Sequence, residues 1–479
     1  MYMTYSIIKK AVTICTAATF TLYSTSCNKM LDVKPTDQVD GNEIFNSLTT
    51  VNRAVLGVYA GWQPESTLRI GSVMADECRI GLKNAGVNGS AQNLFRWSFA
   101  GGDTEIAAPW TNAYQVINRV NRVLEGLDKV PVHNDTEKQQ QQQLRGELLA
   151  IRAFEHFELY RNFSYAGVYQ ADAPAVPYVT SPDIDNKPAR PTAAEFFQQL
   201  HKDLDAATTL TGDSEDVTRM GIQAVYALQA RVALYTGNWT AAAENATKAI
   251  GKFHLASRAE FPAIWTDASN AEIIFKLKRT NLSELRPGDI WKNAGIGIVY
   301  FAPSTKLLQA YDEENDIRYN SYFDNDAALA ADGQLADVVK KYAGAEGAEN
   351  RNDVKVFRVS EMYLIRAEAY QHLSRLAEAT EDLNTLRLAR IKGYETQTYT
   401  DSKKLLNDIL VERFRELPFE GHRYYDLKRL GLPIQRDEAD LQSGDTQTDL
   451  LPSALYYYLP IPQSEVLSNP NIKPNNKGW

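Results

Sequence analysis

Residues 409–431 read ILVERFRELPFEGHRYYDLKRLG. Glu412, Glu416 and Glu420 recur every four residues, which would set the first two on one helical face. Arg413 and Arg415 are interleaved with them, and Pro418 predicts the end of the helix. A pair of carboxylates could serve acid–base chemistry, but carboxylates alternating with arginines at a helix end point to an ion-pair network. Arg413, Glu416, Glu420 and Arg423 are expected to pair with one another and with backbone carbonyls. Phe414, Leu417, Phe419 and Tyr425 are apolar enough to fill the space between helices.

Outward from this stretch, apolar spacings of three and four predict helices near 47–59, 108–130, 137–163, 192–209, 218–236 and 239–251, and again from 355 onward. YALQARVALYTGNWTAAAENATKAI (226–250) aligns with YLIRAEAYQHLSRLAEATEDLNTLR (363–387) at an offset of 137. Ala230 falls on Ala367, Ala242 on Ala379, Ala246 on Leu383, and Gly237 on Ser374 at the turn. Small residues where two antiparallel helices cross, with a short turn between, are the tetratricopeptide pattern. The middle, roughly 252–350, differs. EIIFKLKR (272–279) and GIGIVYFAPS (295–304) suggest short strands, and 325–353 reads as irregular surface chain with short elements. The fold class is therefore mostly α: a tetratricopeptide-like helical-repeat scaffold, mainly 110–163, 192–251 and 355–430. It carries a variable, loop-rich lobe with short strands, mainly 61–105 and 252–350.

The amino terminus has its own pattern. Lys9 and Lys10 precede an uncharged run, AVTICTAATFTLY, and small residues lead to Cys27. This is a secretory pattern, too short for a usual membrane helix. It resembles a bacterial lipoprotein signal, although Ser24 stands where leucine is usual and Leu22 lies five residues before the cysteine. Residues 1–26 are thus read as a signal peptide, Cys27 as the lipidated residue, 27–45 as a tether, and 46–479 as one unit anchored to a membrane face.

Removing the signal leaves 49 basic against 60 acidic residues, a net charge near −11, with no basic stripe, so nucleic acid is excluded as a partner. Cys78 then stands alone, a candidate buried hydrophobe. The six histidines form no HExxH, and there is no CxxC, GxSxG, GKS or GKT. No catalytic residue, cofactor or metal is assigned. The acidic string DEENDIRYNSYFDND (312–326) could hold calcium but lacks the spacing of an EF-hand.

With these residues in view, the chain resembles the SusD/RagB family of Bacteroidetes outer-membrane lipoproteins. The 409–431 stretch matches its carboxyl-half signature at Glu412, Arg413, Glu416, Leu417, Phe419, Glu420, Gly421, Arg423, Tyr424, Tyr425, Asp426, Leu427 and Arg429. FRVSEMYLIRAEAY (357–370), ATEDLNTLRLAR (379–390) and LPIPQSEVLSNPNI (459–472) match as well, and the final NNKGW is looser. The resemblance implies a cell-surface protein that binds oligosaccharide or polysaccharide without hydrolysing it. It also implies a partner, a SusC-like TonB-dependent transporter barrel in the outer membrane. Peptide or glycopeptide ligands, or a scaffold without small ligand, are the alternatives. The signature residues Arg413, Glu416, Glu420, Arg423 and Asp426 would then carry fold and not ligand.

A sugar ring presents an apolar C–H face and a hydroxyl rim, so it is matched by aromatic rings with amides and charges beside them. Two stretches hold such groups together. One contains Asn93, Arg96 and Trp97; the other contains Trp291, Lys292, Asn293 and Tyr300, with Tyr322 and Asp324 closing the rim. A first prediction concerns the anchor. Cys27→Ser is expected to move the protein from the membrane fraction to the soluble fraction, as read by immunoblot, whereas an incidental cysteine would leave its partition unchanged.

Overall fold

The computed structural model describes residues 44–165, 167–280 and 286–479. The signal peptide, Cys27 and all but the last residues of the tether lie outside the described residues. Among those described, no helix is long and apolar enough to cross a membrane.

The amino half is helical: α1 (Leu48–Ala60), α2 (Glu65–Val73), α3 (Thr104–Leu127), α4 (Asp135–Phe163) and α5 (Ala193–Leu210). Local chemistry sets their starts. Asn134 accepts the Glu137 N–H ahead of α4, and Thr192 with Glu195 forms a reciprocal capping box on α5. Next come α6 (Ile222–Thr236), α7 (Trp239–Ile250), α8 (Val359–His372), α9 (Leu376–Arg390), α10 (Ser402–Glu416) and α11 (Arg423–Leu430). Each long helix packs on its neighbour in sequence, and α7 also packs on α8, which joins the two aligned pairs.

The 137-residue offset holds in the backbone. Gly237 and Ser374 are both left-handed, at φ 69° and 62°. Asn238 N–H bonds to Ala233 O, and the corresponding Arg375 N–H bonds to Tyr370 O. Ala230, Ala242 and Ala246 are fully buried, as are Ala367, Ala379 and Leu383. Small side chains let the paired helices approach, and each pair leaves an apolar face for the next.

The lobe is built from ribbons. Among the described residues the strands form six two-stranded antiparallel pairs. In chain order the strands used here are β1 (Cys78–Ile80), β2 (Ile273–Leu277), β3 (Lys292–Asn293), β4 (Ile298–Val299), β5 (Phe301–Pro303), β6 (Phe323–Asn325), β7 (Asp337–Val339), β8 (Gly344–Ala345), β9 (Ala348–Glu349) and β10 (Val354–Arg358). β2 pairs with β10, which runs directly into α8, so this ribbon roots the lobe in the scaffold. β1 pairs with β5, with Ile80 opposite Phe301, so the 78–99 stretch lies against the 286–303 stretch.

Residues 65–73, which the sequence assigns to the glycine-rich lobe, instead form α2. A Cβ at Gly71 would lie 2.6 Å from the Gly421 Cα, so glycine is required where α2 crosses the signature turn. Cys78 is fully buried, as expected of a small hydrophobe.

The signature carboxylates are buried and paired, but not in the expected way. Arg413, Glu416, Glu420 and Arg423 do not pair among themselves. Arg413 bonds Asp426, which also takes Arg429. Arg423 bonds Asp76, 347 residues away. Glu420 takes Arg358 and Lys341. Glu416 takes three guanidinium groups, Arg318 at 3.1 Å, Arg358 at 2.9 Å and Arg390 at 3.0 Å. Burial would raise the Glu416 carboxyl, but Arg390, Arg358 and Arg318 outweigh it and hold it well below the usual carboxylate range.

Two predictions follow from this interior. Glu416→Ala leaves three buried arginines short of a partner and is expected to cost about 3–5 kcal/mol in urea unfolding. Glu155 behaves in the opposite sense. It is buried with no ion pair among the described residues, accepts the Trp62 indole N–H, and is pushed up to about 8 by burial and by Glu158. Its folded value stands above its ordinary 4.5. Its contribution to stability is therefore present below about 4.5 and lost as pH rises through about 8. Glu155→Gln is expected to gain stability over the parent progressively from pH 5 to 8, as read by thermal melts. An advantage that is flat with pH would show that Glu155 does not titrate there.

Candidate functional site

Between its ribbons the lobe carries a cavity of about 560 Å³. One wall is the turn and ribbon carrying Trp291, Lys292 and Val299, and another is the β6–β7 ribbon with Asp324, Asn325, Val338 and Val339. Phe301, Tyr342 and Asn350 also line it. Val299 packs with Ala302 and Leu329 in a small core of its own, which stiffens this side of the lobe.

Polar groups meet an apolar surface here. Asp324, Asn325 and Glu349 are exposed, while Lys292 and Asp326 are half-buried. Asn350 is buried and donates to Asp289 at 2.7 Å and to the Lys292 carbonyl at 2.6 Å, so it ties the turn to the ribbon. The Trp291 indole N–H and the Tyr342 hydroxyl are both buried and make no hydrogen bond within the described residues. Burial raises the Tyr342 hydroxyl well above its ordinary value, with Glu420 adding to it, so it remains a donor.

The sequence candidates divide. Trp291, Lys292 and Asp324 come together in the cavity wall. Asn293 and Tyr300 stand on the same hairpin but bond each other at 2.9 Å and do not line the cavity. Trp97 is a correction: it is fully buried, its indole N–H bonds Met74 O at 3.0 Å, and the Arg436 guanidinium lies 4.0 Å from its ring centre. Neither ring face is open to a ligand. Tyr322 is another. It is fully buried, its hydroxyl donates to Glu416 O at 2.9 Å, and the Lys341 ammonium sits 3.8 Å from its ring centre. Arg96 is bound to Asp445 and Gln442, and exposed Asn93 reaches Asp103 at 3.5 Å. Both stand apart from the lining of the cavity.

Sequence reasoning missed Tyr342, Glu349 and Asn350, because 325–353 shows no periodicity. The signal available there was Gly344 and Gly347, both with positive φ, which turn the chain into the β8–β9 hairpin just before Asn350.

Three acids of 312–326 serve local roles. Asp312 accepts the Glu314 and Asn315 N–H groups, Asp316 binds Arg318, and Asp326 caps a short helix. Among the described residues no group of three or more His, Cys, Asp or Glu could hold a metal ion. Glu412 and Glu416 are sealed among arginines, and Glu420 is held by Arg358 and Lys341.

A scaffold of repeated helix packing thus bears a ribbon lobe with a mixed aromatic and polar recess. Comparison with known proteins narrows the class. Residues 279–479 match the family model described as the SusD family, and residues 29–234 match one described as starch-binding, associating with outer membrane. SusD-like protein P2 of Formosa agariphila is 24% identical, over 94% of this chain and 96% of that protein. The structure of a SusD superfamily protein from Bacteroides thetaiotaomicron superposes with a TM-score of 0.80 at 24% identity, over 90% of this chain and 99% of the other. A putative sugar binding protein from Bacteroides vulgatus superposes with a TM-score of 0.75 at 26% identity, over 91% and 99%. The chain belongs to the SusD/RagB family.

Proposed function

We propose that this protein binds a glycan at the cell surface through the lobe cavity and passes it, unhydrolysed, to a SusC-like TonB-dependent transporter barrel. On this reading the aligned helix pairs are a tetratricopeptide-type scaffold. The lipid on Cys27 holds the protein to the outer membrane, facing outward. Family membership supports the setting. The observation that carries the ligand reading is the cavity itself, whose 560 Å³ suits a short oligosaccharide. Val338 and Val339 offer an apolar face to C–H groups. Asp324, Asn325 and Glu349 supply acceptors and donors for hydroxyls at the rim. No cofactor enters this reading. The valine-lined floor, with lysine and aspartate at the rim, also gives peptide or glycopeptide a hearing. A scaffold without small ligand is disfavoured by the presence of a built recess.

The test is affinity electrophoresis of the protein lacking residues 1–27 in gels containing soluble starch, laminarin, mannan or pectin, with a reducing-sugar assay alongside. Retardation by one glycan class without sugar release is expected. Asp324→Ala and Glu349→Ala are expected to weaken it by about ten-fold, one charged hydrogen bond each, with melting unchanged because both side chains are exposed. Retardation that both variants leave intact would move the site elsewhere, and release of sugar would overturn the non-enzymatic reading.

A further inference from the structure

Between α2 and β1 the chain turns through Asp76 and Glu77, both buried. Asp76 is neutralised by Arg423 and Lys306. Glu77 is not: among the described residues no ion pair reaches it. Its Oε1 accepts the Phe419 N–H at 2.9 Å, and its second oxygen is buried beside the Ser72 hydroxyl. Burial pushes its carboxyl up to about 7, against the bond from the Phe419 N–H. A buried carboxylate without a cation is a costly way to stabilise a fold.

What Glu77 holds is unusual. Phe419 has φ 65°, a conformation that a bulky side chain rarely adopts. Its fully buried ring meets Trp291 edge-on, with centres 4.9 Å apart, and lies 6.2 Å from Phe323. Trp291 lines the cavity, and its carbonyl takes the N–H groups of Tyr300 and Phe301. The backbone of the same dipeptide holds the other end of β5. Glu77 O accepts the Ser304 N–H at 3.0 Å, and Asp76 O accepts the Ser304 hydroxyl at 2.8 Å. Glu77 thus reaches the cavity wall by two routes, through Phe419 to Trp291 and through Ser304 to Phe301.

We propose that Glu77 is a positioning residue of the lobe cavity: it holds Phe419 left-handed and, through the Phe419 ring, seats Trp291 in the cavity wall. The proposal rests on the reading of that cavity as the ligand site, and its test separates the two. Amide hydrogen exchange is followed over residues 288–301 and 417–421, and retardation is measured in soluble starch and laminarin. Glu77→Leu removes the acceptor and is expected to speed exchange in both segments about ten-fold and weaken retardation about ten-fold, the worth of one hydrogen bond. Glu77→Gln keeps the acceptor and is expected to restore both. Phe419→Gly suits the left-handed backbone and keeps the N–H, so it is expected to speed exchange in 288–301 alone. This variant and Glu77→Gln decide the matter if Glu77→Leu does not fold. Parent-like exchange in Glu77→Leu, failure of Glu77→Gln to restore it, or parent-like 288–301 exchange in Phe419→Gly would overturn the proposal. A parent that neither glucan retards, with exchange as described, would leave the positioning role standing and remove these glucans as ligands.

Discussion

The structure depends on one buried contact, the meeting of Glu416 with Arg318, Arg358 and Arg390. Glu416 ends α10, Arg358 ends β10 at the start of α8, Arg390 ends α9, and Arg318 comes from the lobe. A single carboxylate therefore fixes three scaffold helices and one lobe segment. The contact extends outward in both directions. Arg358 and Arg390 share Glu272, which precedes β2, and Arg358 also forks onto Glu420. Arg318 and Arg387 share Glu412. Each guanidinium is delocalised and planar, so it can serve two or three carboxylates at once, which an ammonium does poorly.

Such a lattice is not a cheap source of stability. Desolvating so many charges costs several kcal/mol per ion, and the attraction between them returns that only where geometry and hydrogen bonding are complete. Completeness is what the structure shows around Glu416 and Arg358. What the lattice adds is discrimination. An apolar interface between ribbon and helix tolerates sliding by a fraction of a turn, whereas a bidentate arginine does not. The orientation of the lobe on the scaffold is thereby tied to a few angles. Lys341 carries the constraint toward the cavity, since its ammonium bonds Glu420 and Pro418 O and lies against the Tyr322 and Trp265 rings. The next residue, Tyr342, is in the cavity wall.

What the sequence disclosed follows from how far each feature reaches along the chain. The long helices, the 137-residue repeat and the paired turns at Gly237 and Ser374 are local, set by spacing and by backbone conformation, and they stand in the structure, whereas the short α2 went unread. The identity of the signature as buried and ionic was legible from alternating Glu and Arg. Its partners were not, because Asp76, Arg318, Arg358 and Arg390 lie elsewhere in the chain and composition does not rank them. The site was half legible for a related reason. Trp97 and Trp291 sit in similar surroundings in sequence, each among amides and basic residues. Only tertiary structure shows that Arg436, with no carboxylate of its own, spends its donors on Val73, Met74, Ala75 and Phe95 carbonyls and lies between the Phe95 and Trp97 rings. Burial lowers the Arg436 pKa to about 9 despite Cys78 and nearby acids, which leaves the guanidinium charged at neutral pH. It makes Trp97 part of the core.

This arrangement separates the parts that must be constant from those that can change. The lattice and the small residues at Gly71 and Gly421 allow little substitution, since each is held from several sides at once. The rim residues Asp324, Asn325 and Glu349 are exposed and held by a two-stranded ribbon or a tight hairpin. Asn325 also bonds Asp337 across that ribbon and Glu349 accepts the Gly347 N–H of that hairpin, so of the three Asp324 is the one whose change leaves these wall contacts in place. A recognition site on short ribbons gains accuracy only if their roots are fixed. Here the roots are fixed by charge pairing in the scaffold, through β10 and β2 on one side and through Asp76 and Glu77 on the other.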